Sequence, residues 1–403
     1  MPVSPSSFDL KRILRPNILR LEPYRCARDD YSEGILLDAN ENSYGPAFKA
    51  EIRGASGGSG ADVQISAGAD GLDLHRYPDP LGRDVKQRIL ALRPGVPSID
   101  NVFLGVGSDE VIDMLVRVTC TPGKDKILIT PPTYGMYKVV ASVNDVGVVK
   151  VPLIVDDGSF QLDAGAVIEA AVGDPAVKIV WLCSPGNPTG TRLRAEDVRR
   201  VLDSRFAGLV VVDEAYVDFV RAERGGSFAG LVAEYPGLVV MQTMSKSFGL
   251  AGIRLGVGIA SSELVGYLNN AKAPYNVSTL SLSVAREALS DDGLHKMRQV
   301  TQSLAAQRDG YLIPELKRLA HVGAILGGND ANFVLCRLVD SEGRASNELA
   351  KGVYTEMAEK RGLVVRFRGL DAGCEGCLRI TVGTAAENAA VVATLRALLA
   401  AIP

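Results

Sequence analysis

Six short apolar runs set what this chain can fold into: NVFLGV, KILIT, VVKVPL, KIVWLCS, LVVVDEA and LVVMQT, spread between residues 101 and 243. Amphipathic stretches such as SDEVIDMLVRVTC and AEDVRRVLDSRF lie between them, with apolar spacing suited to helices packed on one face. That alternation predicts βαβ units and a mainly parallel sheet flanked by helices, an α/β fold. Each run stops at a polar or glycine-rich turn, and open α/β sheets gather ligands at the carboxyl ends of their strands. From about residue 290 the pattern changes to helices followed by ANFVLCRL, LVVRFRGL and CLRITVG, which predicts a smaller α+β domain. The expected organisation is an N-terminal arm over 1–50, an insertion over 51–75, a large domain over 76–290 and the small domain over 291–403. The glycine- and serine-rich run at 53–71, with almost no apolar pattern, reads as a flexible surface insertion.

Charge and composition remove several classes of function. With a formal charge of -3 and dispersed basic residues, the 403-residue chain lacks the basic footprint of a nucleic-acid binder. No apolar run approaches a bilayer-spanning length, and the first residues lack the apolar core of a signal peptide, so a cytoplasmic location is expected. The arginine-rich KRILRPNILRLEPYRCAR could pass for part of a transit peptide, but acidic residues and prolines interrupt it. Six cysteines do not form a disulfide scaffold at this length. The pair in CEGC, Cys374 and Cys377, has no histidine or second pair nearby to complete four zinc ligands, and no metal is expected.

The turns carry the chemistry. NVFLGVGSDE brings Gly105, Gly107, Ser108 and Asp109 to the start of a helix, where backbone N–H groups and the helix dipole favour a phosphate. The motif fits neither a dinucleotide fingerprint nor a nucleotide P-loop, and a plain Ser/Asp cap explains it equally well. PGNPTG presents Asn187 on a turn fixed by proline and glycine, or simply joins a strand to a helix. LVVVDEAY releases Asp213 from a buried strand with Glu214 and Tyr216 close behind. Burying a carboxylate is costly unless a cation or strong donors meet it, although an acidic pair at a strand end is most often capping or salt-bridged structure. LVVMQTMSK ends in Thr243, Ser245 and Lys246, and Arg254 follows eight residues after the lysine. Alone, Lys246 could be an ordinary surface charge. Together the four turns offer a phosphate cradle, a neutral donor, a buried acid and an amine on one sheet edge. Pyridoxal 5'-phosphate has the matching groups: a phosphate, a phenolic oxygen, a ring nitrogen that can be protonated, and an aldehyde that lysine can capture.

At this point the chain resembles fold type I pyridoxal-phosphate aminotransferases, and among them most closely the histidinol-phosphate aminotransferases of histidine biosynthesis. The resemblance runs in order through LEPYRCARDDYSEGILLDANENSYGP, HRYPDP, GVGSDE, PPTYGMY, SPGNPTG, VVDEAY, TMSKSFGLAGIRLG and CLRITVG, and the start FDLKRILRPNILRLEPYRCARDD is similar to fungal members. It implies that Lys246 holds the cofactor through a Schiff base and then moves the substrate proton. Asp213 would meet the ring nitrogen, Asn187 and Tyr216 the phenolic oxygen, and Tyr134 the ring face. The phosphate would lie among Ser108, Asp109, Thr243, Ser245 and Arg254. Tyr77 of HRYPDP would reach that phosphate across the interface of a homodimer with shared sites, to which the N-terminal arm also contributes. Arg366 and Arg379 would clamp the phosphate of L-histidinol phosphate and the carboxylates of glutamate or 2-oxoglutarate in turn, with Tyr24 as a further phosphate donor and Asn187 beside the substrate. Read without the resemblance, the two arginines are ordinary exposed strand residues. Decarboxylation of a phosphorylated amino acid, transamination of an aromatic amino acid, and a catalytically silent binding protein are the alternatives. Carbon dioxide release would mark the first, indifference to the phosphate the second, and failure to take up cofactor the third.

Overall fold

The computed structural model describes residues 27, 30–31, 33–47 and 74–402. Tyr24, most of the expected N-terminal arm and the 53–71 run lie outside the described residues.

After the two-residue β1 (Ile35–Leu36), seven strands build the large sheet: β2 (Val102–Val106), β3 (Lys126–Ile129), β4 (Gly147–Lys150), β5 (Val177–Cys183), β6 (Leu209–Asp213), β7 (Leu238–Thr243) and β8 (Leu255–Ile259). Their spatial order is β4-β3-β5-β6-β7-β8-β2. All run parallel except β8, which is antiparallel to both of its neighbours. The central strands are valine-rich because helices cover both faces of a parallel sheet. Along β6, Val210 and Val212 pack into one apolar core while Val211 packs into the other, and Leu238/Val240 and Val239/Met241 divide in the same way along β7.

β8 has no counterpart among the runs picked out in the sequence. Its LGVGI carries two glycines, which weaken a strand by propensity. Tertiary packing gives the reason for them. A Cβ on Gly256 would lie 2.4 Å from the Ser108 amide nitrogen, and one on Gly258 3.0 Å from Val111. Only bare backbone lets the helix Gly107–Thr119 press so close to the sheet.

The remaining strands are β9 (Val322–Leu326), β10 (Phe333–Leu338), β11 (Leu363–Val364), β12 (Arg366–Phe367) and β13 (Cys377–Thr381). A four-stranded antiparallel sheet runs β12-β13-β10-β9, and β1 pairs with β11 in parallel. The run LVVRFRGL therefore divides, its first two residues joining β1 and Arg366–Phe367 joining β13. Leu378 and Ile380 of β13 share an apolar core with Val391 and Leu395 of the helix Ala385–Leu399. Each such buried side chain contributes about 1.5–3 kcal/mol. The alternation that buries these two turns Arg379 to the opposite face. Among the described residues no helix is long and apolar enough to cross a membrane.

Candidate active site

A cavity of about 340 Å³ opens at the carboxyl ends of β5, β6 and β7, bounded on its far side by β12 and β13. The four turns and the small-sheet arginines all reach it. Ser108, Asp109, Tyr134, Asn187, Asp213, Tyr216, Thr243, Ser245, Lys246, Arg254, Arg366 and Arg379 line it.

The helix Gly107–Thr119 begins at the cavity wall without any side-chain cap. The Ser/Asp cap considered for this turn is thus not formed: the N-cap residue is Val106, and Asp109 instead accepts from Tyr134 Oη at 3.1 Å and from Arg254 Nη2 at 3.2 Å. Gly107 sits at φ 72°, where a Cβ would come within 2.3 Å of the Arg254 guanidinium. Arg254 itself holds a left-handed backbone (φ 51°, ψ 60°), strained for a residue with a side chain, and its carbonyl accepts the Gly107 N–H at 2.9 Å. Thr243 Oγ1 and Ser245 Oγ lie 2.9 Å apart on the neighbouring turn. Uncapped N–H groups, two hydroxyls and a guanidinium around a glycine cradle suit a phosphate in size and charge.

Asp213 is 3% exposed and accepts from Tyr137 Oη at 2.6 Å and the Ala215 N–H at 3.2 Å. Burial pushes its pKa up to about 6 against those two hydrogen bonds. A cationic ring nitrogen set against this carboxylate would draw it back down, so the residue fits the ring of pyridoxal phosphate. Tyr137 is fixed in turn by stacking on Trp181, with centroids 4.7 Å apart. Tyr216 Oη accepts from Asn40 Nδ2 at 2.9 Å, and burial carries its pKa to about 12. Lys246 Nζ donates to the Ala39 carbonyl at 2.8 Å; burial, then the nearby Arg379 charge, lowers its pKa to about 8.

On the facing wall Arg379, 6% exposed, donates to Asn187 Oδ1 at 2.6 Å and to the Asp38 carbonyl, with its guanidinium 5.4 Å from the Phe333 ring centre. The Asn187 amide hydrogens remain as donors. Arg366 is paired directly across the ladder from Arg379. Glu214, next to Asp213, turns away from the cavity and is held by Ser227, the Phe228 N–H and Gln242.

Tyr77 stands apart from these groups: it is 82% exposed, stacked on Tyr275 at 4.6 Å, and does not line this chain's cavity. Several lining residues had no role assigned from the sequence, among them the segment Asp38–Glu41 and Arg368. The only local signal for the former is the polar DANEN interrupting an apolar start; Asn40 reaches the left-handed region (φ 54°) there and is locked by Thr381 and Asn332.

Comparison with known proteins agrees with this arrangement. The family model described as aminotransferase class I and II matches residues 32–395. A histidinol-phosphate aminotransferase of Saccharomyces cerevisiae is 49% identical, covering 94% of this chain and 95% of that protein. One of Candida maltosa is 47% identical over 97% of this chain and 98% of its own length. In fold, the chain matches a histidinol-phosphate aminotransferase of Sinorhizobium meliloti solved with pyridoxal-5'-phosphate, with a TM-score of 0.79 at 22% identity, over 98% of this chain and 99% of the other. A half-buried lysine and a buried acid on one sheet edge, with relatives this similar along nearly the whole length, place the chain in the aminotransferase class I and II family, among the histidinol-phosphate aminotransferases.

Proposed function

We propose that the protein transfers the amino group of L-histidinol phosphate to 2-oxoglutarate, giving imidazole acetol phosphate and L-glutamate, a step of histidine biosynthesis. One observation carries the reading: Lys246 Nζ, the Asp213 carboxylate and the Arg379 guanidinium open on a single cavity beside an uncapped helix start. The cofactor is pyridoxal 5'-phosphate, which when bound supplies the electron sink for breaking a bond at the amine-bearing carbon.

This chain's residues supply the rest. The Ser108 and Asp109 backbone, Thr243, Ser245 and Arg254 hold the cofactor phosphate. Tyr134 covers the ring face, and Asn187 and Tyr216 donate to the phenolic oxygen. Asp213 keeps the ring nitrogen protonated, because a carboxylate buried at this depth is stabilised by a cation facing it. Lys246 would hold the cofactor through its aldehyde carbon and, once substrate has taken that place, its amine would take the proton from the amine-bearing substrate carbon and deliver it to the former aldehyde carbon on the far side of the nitrogen. The pKa of about 8 leaves part of that amine neutral near neutral pH, as a base must be. Arg366 and Arg379, with Tyr24, bind the acidic groups of both substrates in turn, as a ping-pong reaction requires.

The working unit in this reading is a homodimer in the cytoplasm, Tyr77 of each subunit completing the other's phosphate site. It also divides the chain into an arm over 1–50, an insertion over 51–75, a large domain over 76–290 and a small one over 291–403.

The test uses purified protein and visible absorbance. Adding L-histidinol phosphate without a keto acid should convert the yellow form stoichiometrically to the amine form, and 2-oxoglutarate should restore it. A yellow protein that ignores histidinol phosphate overturns the substrate; protein that takes up no cofactor overturns the mechanism.

A further inference from the structure

A short run of buried polar groups decides which way one phenol points its proton. Asn40, Thr381 and Asn332 are each 1% exposed. The Asn40 N–H donates to Thr381 Oγ1 at 3.1 Å, the Thr381 hydroxyl donates back to Asn40 Oδ1 at 3.1 Å, and Asn332 Nδ2 donates to the Asn40 carbonyl at 3.0 Å. Asparagine tolerates the left-handed backbone this grip requires, here φ 54°. Its remaining polar group, Nδ2, donates to Tyr216 Oη at 2.9 Å.

The direction of each hydrogen bond follows from the protons available. Among the described residues Asn40 is the partner of the Thr381 hydroxyl, which has one proton to give and already accepts the Asn40 N–H. Turning the amide over would set Nδ2 against that hydroxyl and take away the Oδ1 acceptor for its buried proton, a costly arrangement. Nδ2 is therefore the end that meets Tyr216, and it fills a lone pair of the phenol. The Tyr216 ring is held edge-on to Phe333, with centroids 5.2 Å apart, and the one phenolic proton is left for the cavity that Tyr216 lines. Burial holds that proton in place, opposed by the Arg379 charge and the Asn40 hydrogen bond and aided by Cys183 and Asp213, which face the same hydroxyl. β13 treats Asn187 alike: two residues before Thr381, Arg379 fills Asn187 Oδ1 at 2.6 Å and leaves the amide hydrogens to donate.

We infer that Asn40, held by Thr381, is a positioning residue for the reaction: by filling a lone pair of Tyr216 it commits the phenol to donating its hydrogen bond to the phenolic oxygen of the cofactor. The inference rests on Tyr216 as that donor, part of the function proposed above. A donor at this oxygen favours the form of the loaded protein in which the proton shared with the Schiff-base nitrogen has left, because negative charge is then concentrated on the oxygen. Weakening the donor raises the pH at which the yellow colour gives way.

The experiment titrates the visible absorbance of cofactor-loaded wild type, Tyr216→Phe, Asn40→Gly and the double variant, glycine being chosen because it keeps the left-handed backbone. Tyr216→Phe should raise the midpoint by about one pH unit or more, the size of a hydrogen bond to a charged group. Asn40→Gly should raise it by about half a unit or more, and should add nothing in the Tyr216→Phe background. A glycine variant that melts lower yet keeps the wild-type midpoint has lost structure only, and overturns the inference. A shift that persists without the Tyr216 hydroxyl overturns it as well, since Asn40 then acts through the neighbouring Ala39 carbonyl, on which the Lys246 amine rests. Thr381→Val keeps the side-chain shape and removes the hydroxyl; where the glycine variant does not fold, a raised midpoint in Thr381→Val supports the inference and an unchanged one removes it. An unchanged midpoint in Tyr216→Phe defeats the donor role of Tyr216 itself, an outcome read before Asn40 is altered, and the inference falls with it.

Discussion

Lys246 carries its function in its proton affinity. The unfolded chain keeps the lysine proton up to about pH 10.5 and the folded chain only up to about pH 8. The group therefore costs stability below pH 8, and the cost fades as pH rises from 8 towards 10.5. Two outcomes follow for Lys246→Ala. Turnover should fall by at least the roughly 10²–10⁴-fold expected for a lost proton-transfer group, and cofactor-free protein at pH 7 should melt no lower than wild type. Activity assays and melting curves check both; a variant with full activity removes the lysine from the mechanism. In wild type, the rate at which cofactor-free protein captures pyridoxal phosphate should rise with pH through about 8, as the neutral amine becomes the main species. A flat profile would mean that the amine is not desolvated.

Among elements, β8 has the most exacting role, since it lets the phosphate-side helix meet the sheet. Gly256→Ala puts a methyl group 2.3–2.4 Å from the Gly107 C and O atoms and the Ser108 nitrogen, all of them backbone. The turn must move, at a cost of about 1–3 kcal/mol for forced overpacking. The expected result is a lower melting temperature with weakened cofactor affinity, while Gly252→Ala, with nothing within 4 Å, leaves both unchanged. Equal behaviour of the two variants would deny β8 that role. Behind the same strand ends a buried chain of polar contacts joins the two chemical turns. Ser247 Oγ donates to Asp218 at 2.7 Å, and Asp218 pairs with Arg93 Nη2 at 2.6 Å. Arg93 Nε reaches Gln242 Oε1 at 2.8 Å, and Gln242 Nε2 reaches Glu214 at 2.8 Å. The residues directly after Lys246 and Asp213 are thereby held to one another, which explains a buried Glu214 that takes no part in the cavity.

For the whole molecule, the exposed Tyr77 and its stacking partner Tyr275 lie on the surface outside the cavity. In the proposed dimer this surface meets a second copy. Lys246→Ala and Tyr77→Ala protein, each impaired alone, should on mixing and subunit exchange regain activity. With random pairing, half the dimers are mixed and each holds one intact site, giving about a quarter of wild-type turnover. Activity that stays at the mean of the two parents would show that Tyr77 serves no neighbouring site.

The local part of this protein was legible in its sequence. Valine-rich runs ending in Asp213 and Thr243 announce buried parallel strands, and the polar turns after them hold Ser108, Asn187, Asp213 and Lys246, because strand periodicity and turn chemistry are properties of a few consecutive residues. The glycines of β8 masked a strand, since their purpose is a contact with the Gly107 turn about 150 positions away. The same holds for what orients the site. The Lys246 amine rests on the carbonyl of Ala39, Arg379 on Asn187 and the Asp38 carbonyl, and Asp213 on Tyr137. A backbone carbonyl is common to every residue and leaves no mark in composition or spacing. Which carbonyl faces which amine is decided only when the segment after β1 folds across the ends of β6 and β7, and that placement belongs to the tertiary structure.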